Sequence, residues 1–281
     1  MSAASDFLPP KLLERLGGLD IIARTVVSGF QAGVHRSPSR GSGEDFAKHR
    51  DYQQGDDVRH VDWKLYARTD RLYVREFEER SNLQAFVVVD ASLSMGYADA
   101  DGVTKLRYAS YLTAALSHLM LRSGDGVGLA SFGAEPRLLL PPRSRRGQLH
   151  EVLVDLERLK AEGSGSASDV LERVAGAMVR RGRVVLVSDL LEEDDGSALV
   201  SVAGRLRARG DEVIVFRVLT PAELGERAPG AGLFFDPERP ELQVPAVPGA
   251  DSGYAGRVRA YYDSLSDRLR ERGADSGYAG R

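Results

Sequence analysis

Two short apolar runs constrain the fold more than any other feature of the sequence. Residues 86–89 read Phe-Val-Val-Val and residues 184–187 read Val-Val-Leu-Val, with no polar residue inside either run. A strand without polar alternation is buried on both faces, which is typical of the central strands of a parallel sheet covered by helices on both sides. Each run ends at an acid, Asp90 directly after the first and Asp189 shortly after the second. These two strands therefore define the centre of an α/β sheet.

Helical and strand patterns alternate around the two runs. Helical spacing of apolar residues occurs in residues 104–122, 149–160, 169–181 and 198–209, and further strand patterns occur at 127–132, 138–140 and 213–218. Strands that alternate with helices of this length form a mostly parallel sheet with helices on both faces. We predict a doubly wound, mostly parallel α/β domain for residues 82–220, in which the short strand at Leu138 is the candidate antiparallel member.

An N-terminal region, residues 1–81, precedes this domain. Helical spacing from Leu12 to Val26 follows Pro10, and the lack of a basic face favours packing against the protein over binding to a membrane surface. A strand pattern at residues 72–78 either extends the main sheet or pairs with residues 26–34. We therefore predict a helix and a polar β segment before the α/β domain.

A C-terminal region, residues 221–281, follows the domain. Residues 234–238 and 242–244 form a hairpin-like pair of short strands, and residues 261–272 have helical spacing. The octapeptide ADSGYAGR occurs at residues 250–257 and again at residues 274–281. We expect the C-terminal end to be disordered.

Composition and charge exclude several classes of protein. A net charge of −3 argues against a general nucleic-acid binder, and the loop with Arg143, Arg145 and Arg146 is typical of a solvated face. The chain has no cysteine, which excludes disulfides and thiolate metal sites. No apolar run is long enough to span a membrane, and residues 1–10 lack the pattern of a signal peptide. We therefore expect a cytoplasmic protein.

Oxygen donors follow both central strands. Asp90, Ser92 and Ser94 come after the first strand, Asp189 comes after the second, and a Ser-rich loop at residues 164–168 precedes a helix. The carboxyl ends of parallel strands open onto the edge where α/β sheets bind ligands. Hard oxygen donors suit Mg²⁺, Mn²⁺ or Ca²⁺. Because hydroxyls leave such a cation under-neutralised, we predict a divalent-cation site that holds a partner's carboxylate.

A long polar motif precedes the first central strand. Its parts are Arg36-Ser37, Gly41-Ser42-Gly43-Glu44-Asp45-Phe46, Arg50-Asp51-Tyr52, Gly55-Asp56-Asp57, Arg59, Asp62-Trp63, Ala67-Arg68 and Leu72-Tyr73-Val74-Arg75-Glu76-Phe77-Glu78-Glu79. This pattern resembles the signature of the domain-of-unknown-function 58 (DUF58) family, in which it precedes a von Willebrand factor type A-like domain. The resemblance implies that fold for the α/β domain. It also implies a MoxR-type AAA+ ATPase as partner, in the assembly or maturation of client proteins.

The charged residues of this motif have two interpretations. Arg50, Asp56, Arg59, Asp62 and Arg68 form either a structural polar network around Trp63 or a face that docks a partner. The balance of acidic and basic side chains favours the structural network.

The residues from Asp90 to Ser94 match the first motif of the metal-ion-dependent adhesion site of von Willebrand factor A domains, an Asp and two Ser at alternate positions. The resemblance implies that Ser92 and Ser94 bind the metal directly. It also implies that Asp90 and Asp189 hold the metal directly or through water, and that a client protein supplies an acidic residue.

The second motif of that site is a loop threonine, from which this chain departs. Ser168 is the predicted replacement, because Val170 and Val174 follow it at the expected apolar spacing. Ser166 is the competing choice, and a serine hydroxyl supplies the same oxygen.

An enzyme is the alternative to an interaction module. Ser94 lies in a sequence similar to a nucleophile elbow, but Ser92 occupies the position that requires glycine and no His follows His150. Asp90 is the candidate for metal-dependent hydrolysis or phosphotransfer, but no phosphate-binding glycine loop follows it. We therefore expect a protein without enzymatic activity.

Overall fold

The structure is a computed structural model. It describes residues 19, 21, 23, 45–78, 83–98, 102–192, 194–224, 232–235, 238, 241, 243–246 and 253–278.

The strands and helices of the α/β domain follow the order that the sequence patterns predict, whereas β1 (Asp45–Asp51), α1 (Trp63–Thr69) and β10 (Asp275–Tyr278) were not predicted. The strands are β1 Asp45–Asp51, β2 Tyr73–Glu78, β3 Gln84–Asp90, β4 Gly126–Phe132, β5 Arg137–Arg143, β6 Gly182–Ser188, β7 Glu212–Arg217, β8 Gly232–Phe235, β9 Gln243–Ala246 and β10 Asp275–Tyr278. The α-helices are α1 Trp63–Thr69, α2 Lys105–Arg122, α3 Gln148–Arg158, α4 Ala167–Ala177, α5 Ser197–Arg209 and α6 Tyr254–Glu271.

The main sheet has the strand order β10-β7-β6-β3-β4-β5. Strands β3, β4, β6, β7 and β10 are parallel, and β5 pairs with β4 in antiparallel orientation. The predicted α/β fold is therefore confirmed, together with the antiparallel strand at Leu138. The chain leaves β3 towards β4 and later returns to form β6 on the other side of β3, so the strand order reverses between β3 and β6.

Strand β3 separates two hydrophobic cores because its side chains alternate between the faces of the sheet. Phe86 and Val88 pack in the core under α4, α5 and α6, whereas Val87 and Val89 pack in the core under α2 and α3. All four side chains are buried. Burial on both faces explains why this strand shows no polar alternation in the sequence.

A small antiparallel sheet of β1 and β2 stands apart from the main sheet. The strand pattern at residues 72–78 is confirmed as β2, but its partner is β1 and not the main sheet. The other predicted partner, residues 26–34, lies outside the described residues.

The charged residues near β1 form local pairs. Arg50 donates to Asp56 at 2.9 Å, and Asp62 binds His49 at 2.9 Å while it caps the start of α1. Trp63 does not lie inside this network, since its side chain is 58% exposed. The pairs are of the kind expected in a structural network, but they do not enclose Trp63, and the choice between a structural network and a partner-docking face stays a prediction.

Of the predicted N-terminal helix, Leu19, Ile21 and Ala23 are described and are helical. Leu19 and Ala23 are buried in the core under α2 and α3, and Ile21 is half exposed. The rest of that helix lies outside the described residues. Among the described helices, none is long and apolar enough to cross a membrane.

The C-terminal region contains the predicted hairpin, with β8 and β9 antiparallel to each other. The expectation of a disordered C-terminal end is wrong for residues 275–278, which form β10 at the edge of the main sheet. The two copies of the octapeptide differ in structure, because the first leads into α6 and the second forms β10. The open edge of β7 offers hydrogen bonds to the second copy and not to the first.

Candidate functional site

The carboxyl ends of β3 and β6 lie side by side at the point where the strand order reverses. Val89 of β3 pairs with Val187 of β6, so Asp90 and Ser188 end neighbouring strands and Asp189 follows directly. In α/β sheets of this kind, ligands bind in the crevice outside such a reversal. The predicted meeting of Asp90 and Asp189 rests on this topology.

Asp90 is 3% exposed, and both oxygens of its carboxylate accept hydrogen bonds. The backbone N–H of Ser92 donates to Oδ1 at 2.9 Å, and the hydroxyl of Ser188 donates to Oδ2 at 2.5 Å. Burial, and then the negative charge of Asp189, raise the pKa of Asp90 to about 7, although the two donors oppose this shift. The carboxylate thus lies in a site that disfavours uncompensated negative charge.

The two serines of the first motif connect the two acids. Ser92 begins a short 3-10 helix at residues 93–96, which brings the hydroxyls of Ser92 and Ser94 to 3.0 Å from each other. The Ser94 hydroxyl also donates to Oδ2 of Asp189 at 2.8 Å. The structure therefore brings together four of the predicted site residues, Asp90, Ser92, Ser94 and Asp189.

The Ser-rich loop reaches the same edge of the sheet. The backbone just before this loop crosses the first motif, where Glu162 N–H donates to the Ala91 carbonyl at 2.8 Å and Leu93 N–H donates to the Gly163 carbonyl at 2.9 Å. Gly165 lies against the loop after β4, and this position requires glycine because a Cβ there would lie 2.4 Å from the carbonyl oxygen of Gly133.

Ser168 lies beside this crossing, but its hydroxyl contacts Ser166 at 2.8 Å. Ser166 caps α4 and donates to Glu192 at 3.2 Å. Among the hydrogen bonds of the described residues, none joins Ser168 to the two acids or to the serines of the first motif. The choice between Ser166 and Ser168 as loop ligand therefore stays a prediction.

Lys105 is a site residue that the sequence did not reveal. Its ammonium is fully buried and lies 2.7 Å from Oδ2 of Asp189 and 2.6 Å from Oε1 of Glu223. Burial lowers the pKa of Lys105, but the charges of Asp189 and Glu223 outweigh burial and raise it overall. Lysine is rarely buried without such partners, and its position at the start of α2 gives no sequence signal for them.

Glu238 is a further site residue that the sequence did not reveal. It lies between β8 and β9, far along the chain from the first motif. Hydrogen bonds from Ser94 and Ser92 lower the pKa of its carboxylate. Burial raises the pKa of Glu238, and the nearby charge of Asp189 adds to that effect, although the hydrogen bonds oppose it.

The loop after Asp189 is held from α6. The Tyr262 hydroxyl donates to the Asp189 carbonyl at 2.9 Å, and the Tyr261 hydroxyl donates to the Leu190 carbonyl at 2.9 Å. Leu190 has a φ of 58°, in the left-handed region that a leucine rarely adopts. These bonds fix a strained turn next to the acid, and strain of this kind is common at functional sites.

The donor set fits a hard divalent cation. Two carboxylates, those of Asp189 and Glu223, contact the ammonium of Lys105, and the Asp90 carboxylate lies near that of Asp189. Within the described part of the chain, no group of three or more His, Cys, Asp or Glu is arranged to hold a metal. Hydroxyls of Ser92 and Ser94 must therefore supply part of any coordination shell, which suits Mg²⁺ or Mn²⁺ better than zinc or copper.

Comparison with protein families identifies the family of this chain. A family model described as "Protein of unknown function DUF58" matches residues 48–246. The chain belongs to the DUF58 family. "Uncharacterized protein Rv1480" of Mycobacterium tuberculosis (strain ATCC 25618 / H37Rv) is 28% identical over 223 residues, which cover 78% of this chain and 68% of that protein.

Solved structures show the fold of this DUF58 protein. The conserved hypothetical protein BatB from Bacteroides thetaiotaomicron matches with a TM-score of 0.50 and 16% identity, over 71% of this chain and 91% of that chain. The VWA domain of SpRpn10 matches with a TM-score of 0.42 and 14% identity, over 70% of this chain and 88% of that chain. The likeness to BatB shows the fold alone, a mostly parallel six-stranded sheet with helices on both faces.

Proposed function

We propose that this DUF58 protein is a metal-ion-dependent protein-interaction module. The proposal rests on two hydrogen bonds, one between Ser92 and Ser94 and one from Ser94 to Asp189. These residues lie next to Asp90, where the strand order of the sheet reverses. These side chains offer only oxygen atoms, and two of the four are neutral hydroxyls. Such a shell suits Mg²⁺, Mn²⁺ or Ca²⁺.

Each residue has a distinct task in this proposal. Ser92 and Ser94 hold the cation directly, and Asp90 and Asp189 hold it directly or through water. Ser188 and the backbone of Ser92 fix the orientation of the Asp90 carboxylate. The bound cation supplies positive charge that the neutral hydroxyls leave uncompensated, and this charge attracts a carboxylate from outside.

The proposed partners follow from the family resemblance. A MoxR-type AAA+ ATPase is the proposed working partner, and a client protein supplies the acidic residue that completes the cation's shell. We propose that the complex acts in the cytoplasm, in the assembly or maturation of that client.

Cation binding is tested by measuring the thermal unfolding of the wild type and of Asp90→Ala, with and without Mg²⁺ or Mn²⁺. We expect the metal to stabilise the wild type by about 2.7 kcal/mol at a concentration one hundred times its Kd, and to leave Asp90→Ala unchanged. Asp267→Ala is the matched control, because Asp267 is exposed on α6 and its loss leaves the site intact. Equal unfolding temperatures of the wild type with and without metal would refute the cation site.

Binding of the partner is tested by pull-down of a purified MoxR-type ATPase with the wild type, Asp90→Ala and Asp267→Ala as bait. We expect capture by the wild type and by Asp267→Ala in Mg²⁺, and loss of capture by Asp90→Ala or in EDTA. Capture that is independent of both metal and Asp90 would separate ATPase binding from the cation site and refute this part of the proposal.

The enzyme alternative rests on Ser94 or Asp90. The Ser94 hydroxyl donates to a carboxylate, that of Asp189, and not to a histidine that would activate it. Turnover of generic ester or phosphate substrates that depends on metal and disappears in Asp90→Asn would favour the enzyme.

A further inference from the structure

Four large apolar side chains next to the small sheet of β1 and β2 are exposed. Trp63 and Val58 are more than half exposed, and Tyr66 and Leu72 are more than a third exposed. Trp63 and Tyr66 contact each other edge to face, with 6.1 Å between their ring centroids. Exposed apolar patches mark interaction sites, and aromatic residues are enriched in the interfaces between proteins. We refer to Val58, Trp63, Tyr66 and Leu72 as the aromatic patch.

The local fold directs the aromatic patch away from the protein. Asp62 caps α1, since its carboxylate accepts from the backbone N–H groups of Lys64 and Leu65 at 3.0 Å each. The Asp62 N–H donates to the carbonyl of Tyr73 at 2.8 Å, which ties the start of α1 to the start of β2 beside Leu72. Of the seven residues of α1, only Leu65 is partly buried. The helix therefore packs on the protein through one side chain, and its other side chains face solvent.

The charges beside the aromatic patch are mostly positive. Residues 63–72 contain three basic residues, Lys64, Arg68 and Arg71, and one acid, Asp70, whereas the whole chain has a net charge of −3. All three basic residues are exposed. Among the residues that the structure describes, none forms an ion pair with these three side chains.

The acids just before α1 are already engaged. Asp56 accepts a hydrogen bond from Arg50 at 2.9 Å, and Asp57 accepts one from Arg59 at 3.1 Å. The carboxylate of Asp62 is occupied by the cap of α1. These acids therefore leave the positive charge on α1 and on the turn after it available to a partner.

We propose that the aromatic patch docks an acidic segment of a partner protein that also carries apolar side chains. The apolar side chains of the segment cover Trp63 and Tyr66, and its carboxylates pair with the three basic residues. This inference goes beyond the proposed function, because it uses none of the residues of the cation site.

An acidic protein segment fits this surface better than nucleic acid does. Asp57 and Asp70 lie among the basic residues along the chain and would repel a continuous run of phosphates. Val58 and Leu72 are aliphatic and offer no ring on which a base could stack. Separate carboxylates with apolar side chains between them match both features.

The fluorescence of Trp63 reports docking directly, because Trp63 is the only tryptophan of the chain. The probe is a random copolymer of glutamate and leucine, which contains no fluorescent side chain. We expect the copolymer to shift the emission of Trp63 to the blue, since docking removes the indole from water. Polyglutamate should bind several-fold more weakly than the copolymer, because it lacks apolar side chains.

Two variants test the two halves of the surface and leave the reporter in place. Arg68→Gln combined with Arg71→Gln removes charge, and Tyr66→Ser removes apolar area. Each should bind the copolymer several-fold more weakly than the wild type, and added salt should weaken binding to the wild type more than binding to the charge variant. Arg173→Gln is the matched control, because Arg173 is an exposed arginine of α4.

Three outcomes would overturn the proposal. The first is an emission that the copolymer leaves unchanged, or an affinity that is equal in the wild type and both variants. The second is tighter binding of oligothymidylate than of the copolymer, which would assign the patch to nucleic acid. The third is a blue shift that appears without any probe as the protein concentration rises, which would assign the patch to a second copy of this chain.

Discussion

Lys105 sets the charge balance of the site at the scale of single residues. It is the one ammonium among the described side chains that contact the acids at the strand reversal, and it shares Oδ2 of Asp189 with the Ser94 hydroxyl. A cation that binds Asp189 therefore competes with Lys105 for the same carboxylate. In the proposed cation site, this competition would weaken metal binding.

Lys105→Met is expected to lower the free energy of unfolding by about 3 kcal/mol or more in EDTA, because Asp189 loses its buried counter-charge. Saturating Mg²⁺ should restore part of this loss, since the metal then supplies the positive charge. The measurement is urea unfolding with and without Mg²⁺.

Lys160→Met is the control for Lys105→Met, because Lys160 is exposed. The free energy of unfolding of Lys160→Met should differ little from that of the wild type, both in EDTA and in Mg²⁺. A loss for Lys105→Met that is the same in Mg²⁺ and in EDTA would show that the ammonium and the cation do not share Asp189.

Sequence patterns predicted the acids and serines of the site but not the residues that tune them. Asp90, Ser92, Ser94 and Asp189 could be found because each follows a doubly buried strand, and the fold brings such strand ends together. Lys105 could not be found in this way. It is 84 residues from Asp189, and a lysine at the first position of a helix is ordinarily solvated.

Close backbone contact holds the site together at the scale of elements. The loop before α4 crosses the first motif and packs on the loop after β4, where Gly163 would place a Cβ 2.4 Å from Ala134 and Gly165 would place one 2.4 Å from Gly133. These contacts leave no room for a side chain. The loops at the carboxyl ends of β3 and β4 and the loop before α4 therefore depend on glycine for their relative position.

Gly165→Ala is expected to lower the free energy of unfolding by about 1–3 kcal/mol, because the new methyl group forces the two backbones apart. Gly176→Ala in α4 is the matched control, since a Cβ there meets nothing within 4 Å. It should raise stability by about 0.5 kcal/mol, because alanine favours a helix. Urea unfolding checks both, and equal effects would show that the crossing tolerates a side chain.

The small sheet of β1 and β2 and the hairpin of β8 and β9 show what sequence patterns do not predict. The strand at residues 73–78 was predicted from its alternation, but its partner β1 lies in a polar segment whose pairing no periodicity reveals. The hairpin β8–β9 was also predicted, but nothing in its pattern places Glu238 against Ser94. Long-range contacts of this kind depend on the folded chain and not on local preference.

At the scale of the whole molecule, strand β10 extends the main sheet by one strand beyond β7. Strand β10 covers the edge of β7, and Ala274 just before it is buried at 1% exposure. The expectation of disorder failed here because it relied on the position of these residues at the end of the sequence, whereas pairing with β7 orders residues 275–278.

Deletion of residues 274–281 is expected to lower the free energy of unfolding by about 1–3 kcal/mol and to expose the backbone of β7, which invites association between copies. Deletion of residues 279–281 alone retains β10 and serves as the control. Thermal unfolding and size-exclusion chromatography at several concentrations check the two effects. A shortened protein that stays monomeric and equally stable would show that β10 contributes little.

The repeated octapeptide places one peptide sequence in two kinds of secondary structure. Tyr254 opens α6 and Tyr278 ends β10, although the eight residues around each are identical. Carbon-13 labelling of the tyrosine carbonyl in each copy should yield separate amide I frequencies, one typical of helix and one of sheet. On heating, the two bands should merge, because unfolding removes the surroundings that distinguish the two copies. The same peptide sequence would therefore report the unfolding of α6 from one label and of β10 from the other.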